Sequence, residues 1–277
     1  MHRLSLAQLT AIGLTTPEII YLAADLGCEG VAINPGIIPV DLGGPVSRLD
    51  NDPAMRKATA QALADTGVKM DLMDAVGLTP EFSFADNKTQ LEIFGELGAT
   101  MFNIAVMDAD QPRVEENLAA VCELAATMNM QPMVEFFGLG GCVPSLKSAM
   151  ALIDSGKFPN LKLLIDTLHL ARAGETPADL AKIDPALIGA AQICDGPVAY
   201  PGFDKYLYEA LYERGIPGEG ELPLVELLRI FPPDIIVSPE VPLRAVRESG
   251  VPIQECARRA IEGTRRVAAQ AAEFAAS

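Results

Sequence analysis

The stretch Leu161-Lys162-Leu163-Leu164-Ile165-Asp166-Thr167-Leu168-His169 decides how this chain is read. An apolar run ends in an aspartate, and three positions later stands one of only two histidines, the other being His2. Burying either polar group unpaired costs several kcal/mol, so packing alone does not explain a buried strand that ends in Asp-x-x-His. Such a strand makes sense when its C-terminal end delivers side chains to a pocket, as strands do at the mouth of a parallel barrel.

Outward from this strand the chain alternates short apolar runs with amphipathic ones. Strands are expected at Leu4–Ala11, Gly30–Asn34, Val68–Leu72, Thr100–Val106, around Pro132–Phe137, at the opening stretch, at Ile188–Cys194 and at Asp234–Ser238. Helices are expected between them: one opens at Thr16-Pro17-Glu18, and others cover Asp52–Thr66, Asp86–Leu97, 112–130, Ser145–Gly156 and Leu222–Ile230. A last helix runs from Pro252 to about Ala275, and residues 37–50 read as a long early loop. Eight strand-then-helix units in 277 residues match the size and rhythm of a (β/α)8 TIM barrel. A doubly wound sheet would announce itself by a glycine-rich phosphate loop after the first strand, and Ala7-Gln8-Leu9-Thr10-Ala11-Ile12-Gly13 is not one. With no composition shift to mark a linker, residues 1–277 are expected to form one domain.

Composition narrows the function classes. Hydrophobic residues make up 49% of the chain and charged residues 21%, an ordinary globular balance. The formal net charge of −16, with no Lys/Arg-rich run, disfavours nucleic acid and anionic membranes as partners. The sequence holds neither a run of 18 apolar residues nor a signal-peptide pattern. Five scattered cysteines without a C-x-x-C pair suggest reduced thiols in a cytoplasmic protein.

Reading off the ends of strands five to eight gives Glu135, Asp166, Gln192 with Asp195, and Glu240. Neighbouring strands of a barrel bring these groups to one side of its mouth. Three carboxylates that close repel one another unless a cation neutralises them, so a divalent metal is expected. Glu135, Asp166, Gln192 and Glu240 are all oxygen donors, which suits Mn²⁺ or Mg²⁺ better than Zn²⁺.

This set resembles the xylose-isomerase-like barrels, the sugar phosphate isomerase/epimerase group that also includes inosose and dehydroshikimate dehydratases and endonuclease IV. The resemblance rests on Glu on strand five, Asp-x-x-His on strand six, a polar ligand followed by Asp on strand seven, and Glu on strand eight. The loop Arg214-Gly215-Ile216-Pro217-Gly218-Glu219-Gly220 resembles the family's Pro-Gly-x-Gly segment. It implies a divalent-metal-dependent isomerase or epimerase of a keto-sugar or similar polyol, acting through a metal-stabilised enediolate. Glu135, Asp166, Gln192 and Glu240 match the metal ligands, and His169 matches a pocket histidine off the metal. Glu135, Glu240 and His169 are the candidate proton-handling groups, and Asp195, Arg214 and Glu219 are candidates for substrate positioning. Many sugar epimerases carry His where Gln192 stands, and Gln there also occurs in dehydratase branches, so a dehydratase of a cyclic polyol ketone is the second reading. A non-catalytic small-molecule-binding barrel is the third. Endonuclease IV is set aside, since its zinc site uses several histidines and this chain has one internal histidine. Related barrels often form homo-oligomers, and the resemblance leaves room for one here.

Overall fold

The computed structural model describes residues 2–37, 45 and 48–276, and residues 38–44 and 46–47 of the expected early loop lie outside it. Eight parallel strands close into a barrel in chain order: β1 Arg3–Ala7, β2 Gly30–Ile33, β3 Lys69–Leu78, β4 Met101–Val106, β5 Gln131–Glu135, β6 Lys162–Asp166, β7 Ile188–Ile193 and β8 Ile236–Pro239. Among the described residues the helices are α1 Thr16–Asp25, α2 Pro53–Thr66, α3 Phe84–Glu96, α4 Gln111–Thr127, α5 Leu146–Asp154, α6 Thr167–Arg172, α7 Pro177–Leu180, α8 Phe203–Tyr212, α9 Leu224–Ile230, α10 Arg244–Glu248 and α11 Ile253–Ala276. None of them is long and apolar enough to cross a membrane.

Local chemistry explains the boundaries. Asp52 caps α2 by accepting from Met55 N–H, Pro53 fills the first helical position, and Gly67 ends the helix in the left-handed region at φ 73°. At α1 the cap is Thr15 rather than Thr16, in a reciprocal box with Glu18.

Two expectations need correction. The first strand stops at Ala7, and Gln8–Ala11 turn into a 3-10 helix that carries the chain off the barrel rim. The third strand runs on to Leu78, because Met73 and Val76 of β3 pair with Phe102 and Ile104 of β4. Two residues thus oppose one, a bulge that breaks the alternation a strand is recognised by. A helix not among those expected, α8, stands between β7 and β8.

The barrel interior is layered. Ala7, Ala32, Leu72, Met133, Leu164, Ala190 and Ile236 pack together in the middle of the ring. Two residues further along four of these strands come Asp74, Glu135, Asp166 and Gln192. Side chains alternate in and out of a strand, so these face the same axis one level nearer the C-terminal mouth. Hydrophobic filling below and polar groups above follow directly from that period of two. The ring is fastened where β8 meets β1: Ser238 Oγ donates to Ser5 O at 2.8 Å, and Thr10 Oγ1 donates to Pro239 O and accepts from Val241 N–H.

Candidate active site

The mouth of the barrel holds a cavity of about 160 Å³ lined by Asp74, Glu135, His169, Arg214 and Glu240, with Phe137 and Leu207 on its walls. Glu135 ends β5, and Asp166 ends β6 opposite Gln192 of β7. Glu240 follows β8, its N–H bonded to Ile193 O. The four expected ligand residues are therefore neighbours around one axis.

Their hydrogen bonds form one network. Asn103 Nδ2 on β4 donates to Glu135 Oε2 at 2.6 Å and to Asp74 Oδ1 at 2.9 Å. Gln192 Nε2 donates to Asp74 Oδ2 at 2.6 Å and to Glu240 Oε1 at 2.9 Å. Arg214 Nη1 lies 2.6 Å from Asp166 Oδ2 and 2.8 Å from Glu240 Oε2. Its Nε donates to Ala210 O, and its own N–H bonds Pro242 O, so the guanidinium is aimed into the site by backbone on both sides. The second oxygen of Asp166 caps α6, accepting from the N–H groups of Leu168 and His169. The Asp-x-x-His spacing thus follows from a helix that starts on its own strand-end carboxylate.

Burial dominates the electrostatics. It pushes the Glu135 carboxyl up to about 8, with the charges of Asp166 and Asp74 adding to the effect. Glu240 is raised well above the usual carboxylate range by burial, which Arg214 offsets only in part, and Asp74 is raised by burial as well. Burial also opposes the Asp166 anion, yet Arg214 and His169 hold this one carboxyl below its ordinary value. The His169 imidazole is held down at about 4 by burial, so it is neutral near pH 7. Four carboxyl groups face one guanidinium.

A divalent cation fits the donors present. Glu135, Asp166 and His169 offer ligand atoms within 4.8 Å of one another. Gln192 Oε1 and Asn103 Oδ1 are buried with no hydrogen-bond partner. An orphaned buried oxygen beside excess negative charge is what an oxygen-bound cation would satisfy.

Other expected residues fall elsewhere. Asp195 is buried away from the cavity lining, its carboxylate accepting from the N–H groups of Gly196, Gly218 and Leu222. It shapes the 215–222 loop rather than reaching a substrate. Glu219 is exposed on that loop, 3.6 Å from Arg266. Of the three substrate-positioning candidates, only Arg214 lines the cavity. Cys194 is fully buried and its thiol is pushed up to about 12 by burial, which leaves it a packing residue. Asp71, at the other end of β3 from the mouth, pairs with Arg3 at 2.8 Å.

Asn103, Asp74 and Tyr206 were not among the expected site residues. Asn103 had a signal, since it is the one amide in the apolar run Phe102–Val106. Asp74 had a weaker one, obscured by the bulge. Tyr206 had none, because it sits on α8.

A comparison with curated proteins finds no match. Among solved structures, a xylose isomerase domain protein from Alicyclobacillus acidocaldarius is 19% identical with TM-score 0.75, covering 98% of this chain and 99% of its own. The IOLI protein with a bound zinc atom is 17% identical with TM-score 0.75, over 96% and 98%. A 3-keto-D-glucoside 4-epimerase from E. coli is 14% identical with TM-score 0.68, over 96% and 99%. At such identities the likeness is one of fold. The sequence itself matches the family model over residues 20–248, most of its length, and the chain belongs to the xylose isomerase-like TIM barrel family.

Proposed function

We propose that this protein is a divalent-metal-dependent isomerase or epimerase of a small keto-sugar or related polyol. The observation that carries the reading is the carboxyl cluster at the barrel mouth: among the described residues Asp74, Glu135 and Glu240 line the cavity with Arg214, and Asp166 stands beside them, paired to that guanidinium. Such a cluster costs stability unless protons or a cation neutralise it. The solved neighbours that are sugar epimerases, and the one that binds zinc, support the same reading.

Glu135, Asp166, Gln192 and Glu240 are the residues that would hold the cation. When bound, it would supply Lewis acidity that makes a C–H beside a carbonyl easier to ionise. The remaining chemistry belongs to the side chains. Glu135 and Glu240 line the cavity; burial raises both carboxyls, and that of Glu135, at about 8, is suited to taking and returning a proton near neutral pH. Arg214 places positive charge where an enolate-like oxygen would develop. Phe137 and Leu207 keep the wall apolar and limit water.

Elimination of water from a cyclic polyol ketone is the second reading, favoured by Gln192 standing where many epimerases carry His. Both readings start with proton abstraction next to a carbonyl, so one experiment tests and separates them. Metal-loaded protein is incubated in D₂O with keto-sugars and cyclic polyol ketones. Deuterium uptake without water loss supports isomerisation or epimerisation, whereas a conjugated absorbance supports elimination. Absence of any bound or stabilising divalent ion in the purified protein would sink both.

A further inference from the structure

We propose that Tyr206 is a positioning residue that fixes His169 as the Nε2–H tautomer, making it a hydrogen-bond donor to substrate oxygen rather than a base or a metal ligand. This rests on the functional reading above for its consequence, but not for its geometry.

The two side chains are buried and meet at 2.6 Å, Tyr206 Oη to His169 Nδ1. Their rings pack edge to face with centroids 5.7 Å apart, and the Phe137 ring is tilted against the imidazole with centroids 5.5 Å apart. The imidazole is therefore held at a set angle as well as a set distance. Which atom owns the shared proton follows from what else reaches the phenol. The hydroxyl carries a proton of its own and, buried, must find an acceptor for it. Among the described residues, Nδ1 of His169 is the acceptor within reach. If Nδ1 carried hydrogen it would donate to the phenol oxygen, and the phenol proton would turn away and be buried unsatisfied, at a cost of about 1–3 kcal/mol.

With Nδ1 accepting, the single imidazole proton resides on Nε2. That atom faces the cavity, 3.5 Å from Glu135 Oε1. A nitrogen that bears hydrogen has no lone pair for a cation, so His169 is excluded from the ligand set although it lies within reach of Glu135 and Asp166. It can donate to a substrate hydroxyl or carbonyl oxygen, and proton abstraction is left to the carboxylates.

The test is long-range ¹H–¹⁵N NMR on protein labelled at histidine, near pH 7, with Mg²⁺ and with chelator. His2 also donates through Nε2, to Leu228 O, so a His2→Asn variant assigns the signals. The expected result is the Nε2–H pattern as the sole His169 species, unchanged by metal. Tyr206→Phe, which keeps the ring and removes the hydroxyl, is expected to abolish that uniqueness and give a tautomer mixture. It should lower kcat at least tenfold with little change in KM. An Nδ1–H pattern in the unaltered protein, a metal-dependent shift showing direct ligation, or an unchanged tautomer in Tyr206→Phe would overturn the proposal. Because the tautomer is read without turnover, failure of the proposed reaction and failure of this inference give different results.

Discussion

Arg214 is the residue on which the site balances. Its guanidinium, 5% exposed, joins Asp166 and Glu240, and the backbone of Ala210 and Pro242 holds it there. Replacing it by Met would leave two buried carboxyls without their cation. We expect Arg214→Met to destabilise the metal-free protein by roughly 3–5 kcal/mol in urea unfolding and to remove turnover. The arginine was legible as a candidate from its loop, but its partners were not, since a sequence does not state which carboxylate a long side chain will reach. Gln192 invites the opposite experiment. Its Oε1 is an orphan, and an imidazole there would add a nitrogen donor. Metal content of the Gln192→His protein is expected to shift from Mg²⁺ or Mn²⁺ toward Zn²⁺.

At the scale of elements, the loop after α8 is organised by Asp195, which gathers three backbone N–H groups. Gly220 fits only because it lacks a side chain: a Cβ there would stand 2.3 Å from Asp195 Oδ1 and 2.6 Å from Gly196 N. Gly220→Ala is therefore expected to speed amide exchange across residues 215–222 and to lower turnover through Arg214. Glu219→Ala, on the exposed outer side of the same loop, should change stability by less than about 0.5 kcal/mol and leave kcat/KM unchanged. The contrast shows which parts of the site a sequence discloses. Glu135, Asp166, Gln192 and Glu240 were legible because each breaks an apolar strand at its end. Asp195 broke the pattern too, yet its surroundings are backbone amides supplied by a distant turn. Asp74 was hidden by a bulge, and Tyr206 by a helix that interrupts the strand-helix rhythm between β7 and β8.

For the whole molecule, the eightfold alternation made the barrel readable, because one period of two and one repeat of strand and helix recur along the chain. The charge on the finished ring has a measurable consequence. The Glu135 carboxyl sits at about 8 against an ordinary 4.5, and Asp74 and Glu240 shift the same way. A raised folded value contributes stability that is complete below 4.5 and is lost as pH rises through about 8. The melting temperature of chelator-treated protein should therefore fall between these limits. A saturating divalent cation should restore roughly 5–10 °C at pH 8 and much less at pH 5, releasing protons as it binds. Calorimetry in buffers of different ionisation enthalpy would check both. The fastening of β8 to β1 by Ser238, Ser5 and Thr10 reaches further than the static ring. Glu240 stands between Pro239 and Val241, the two residues that Thr10 grips, more than 225 positions away along the chain. Ring closure and delivery of the last carboxylate are therefore one event in time. A growing chain carries Glu135 and Asp166 before it carries Glu240, and the carboxyl set is complete only once β8 has paired with β1.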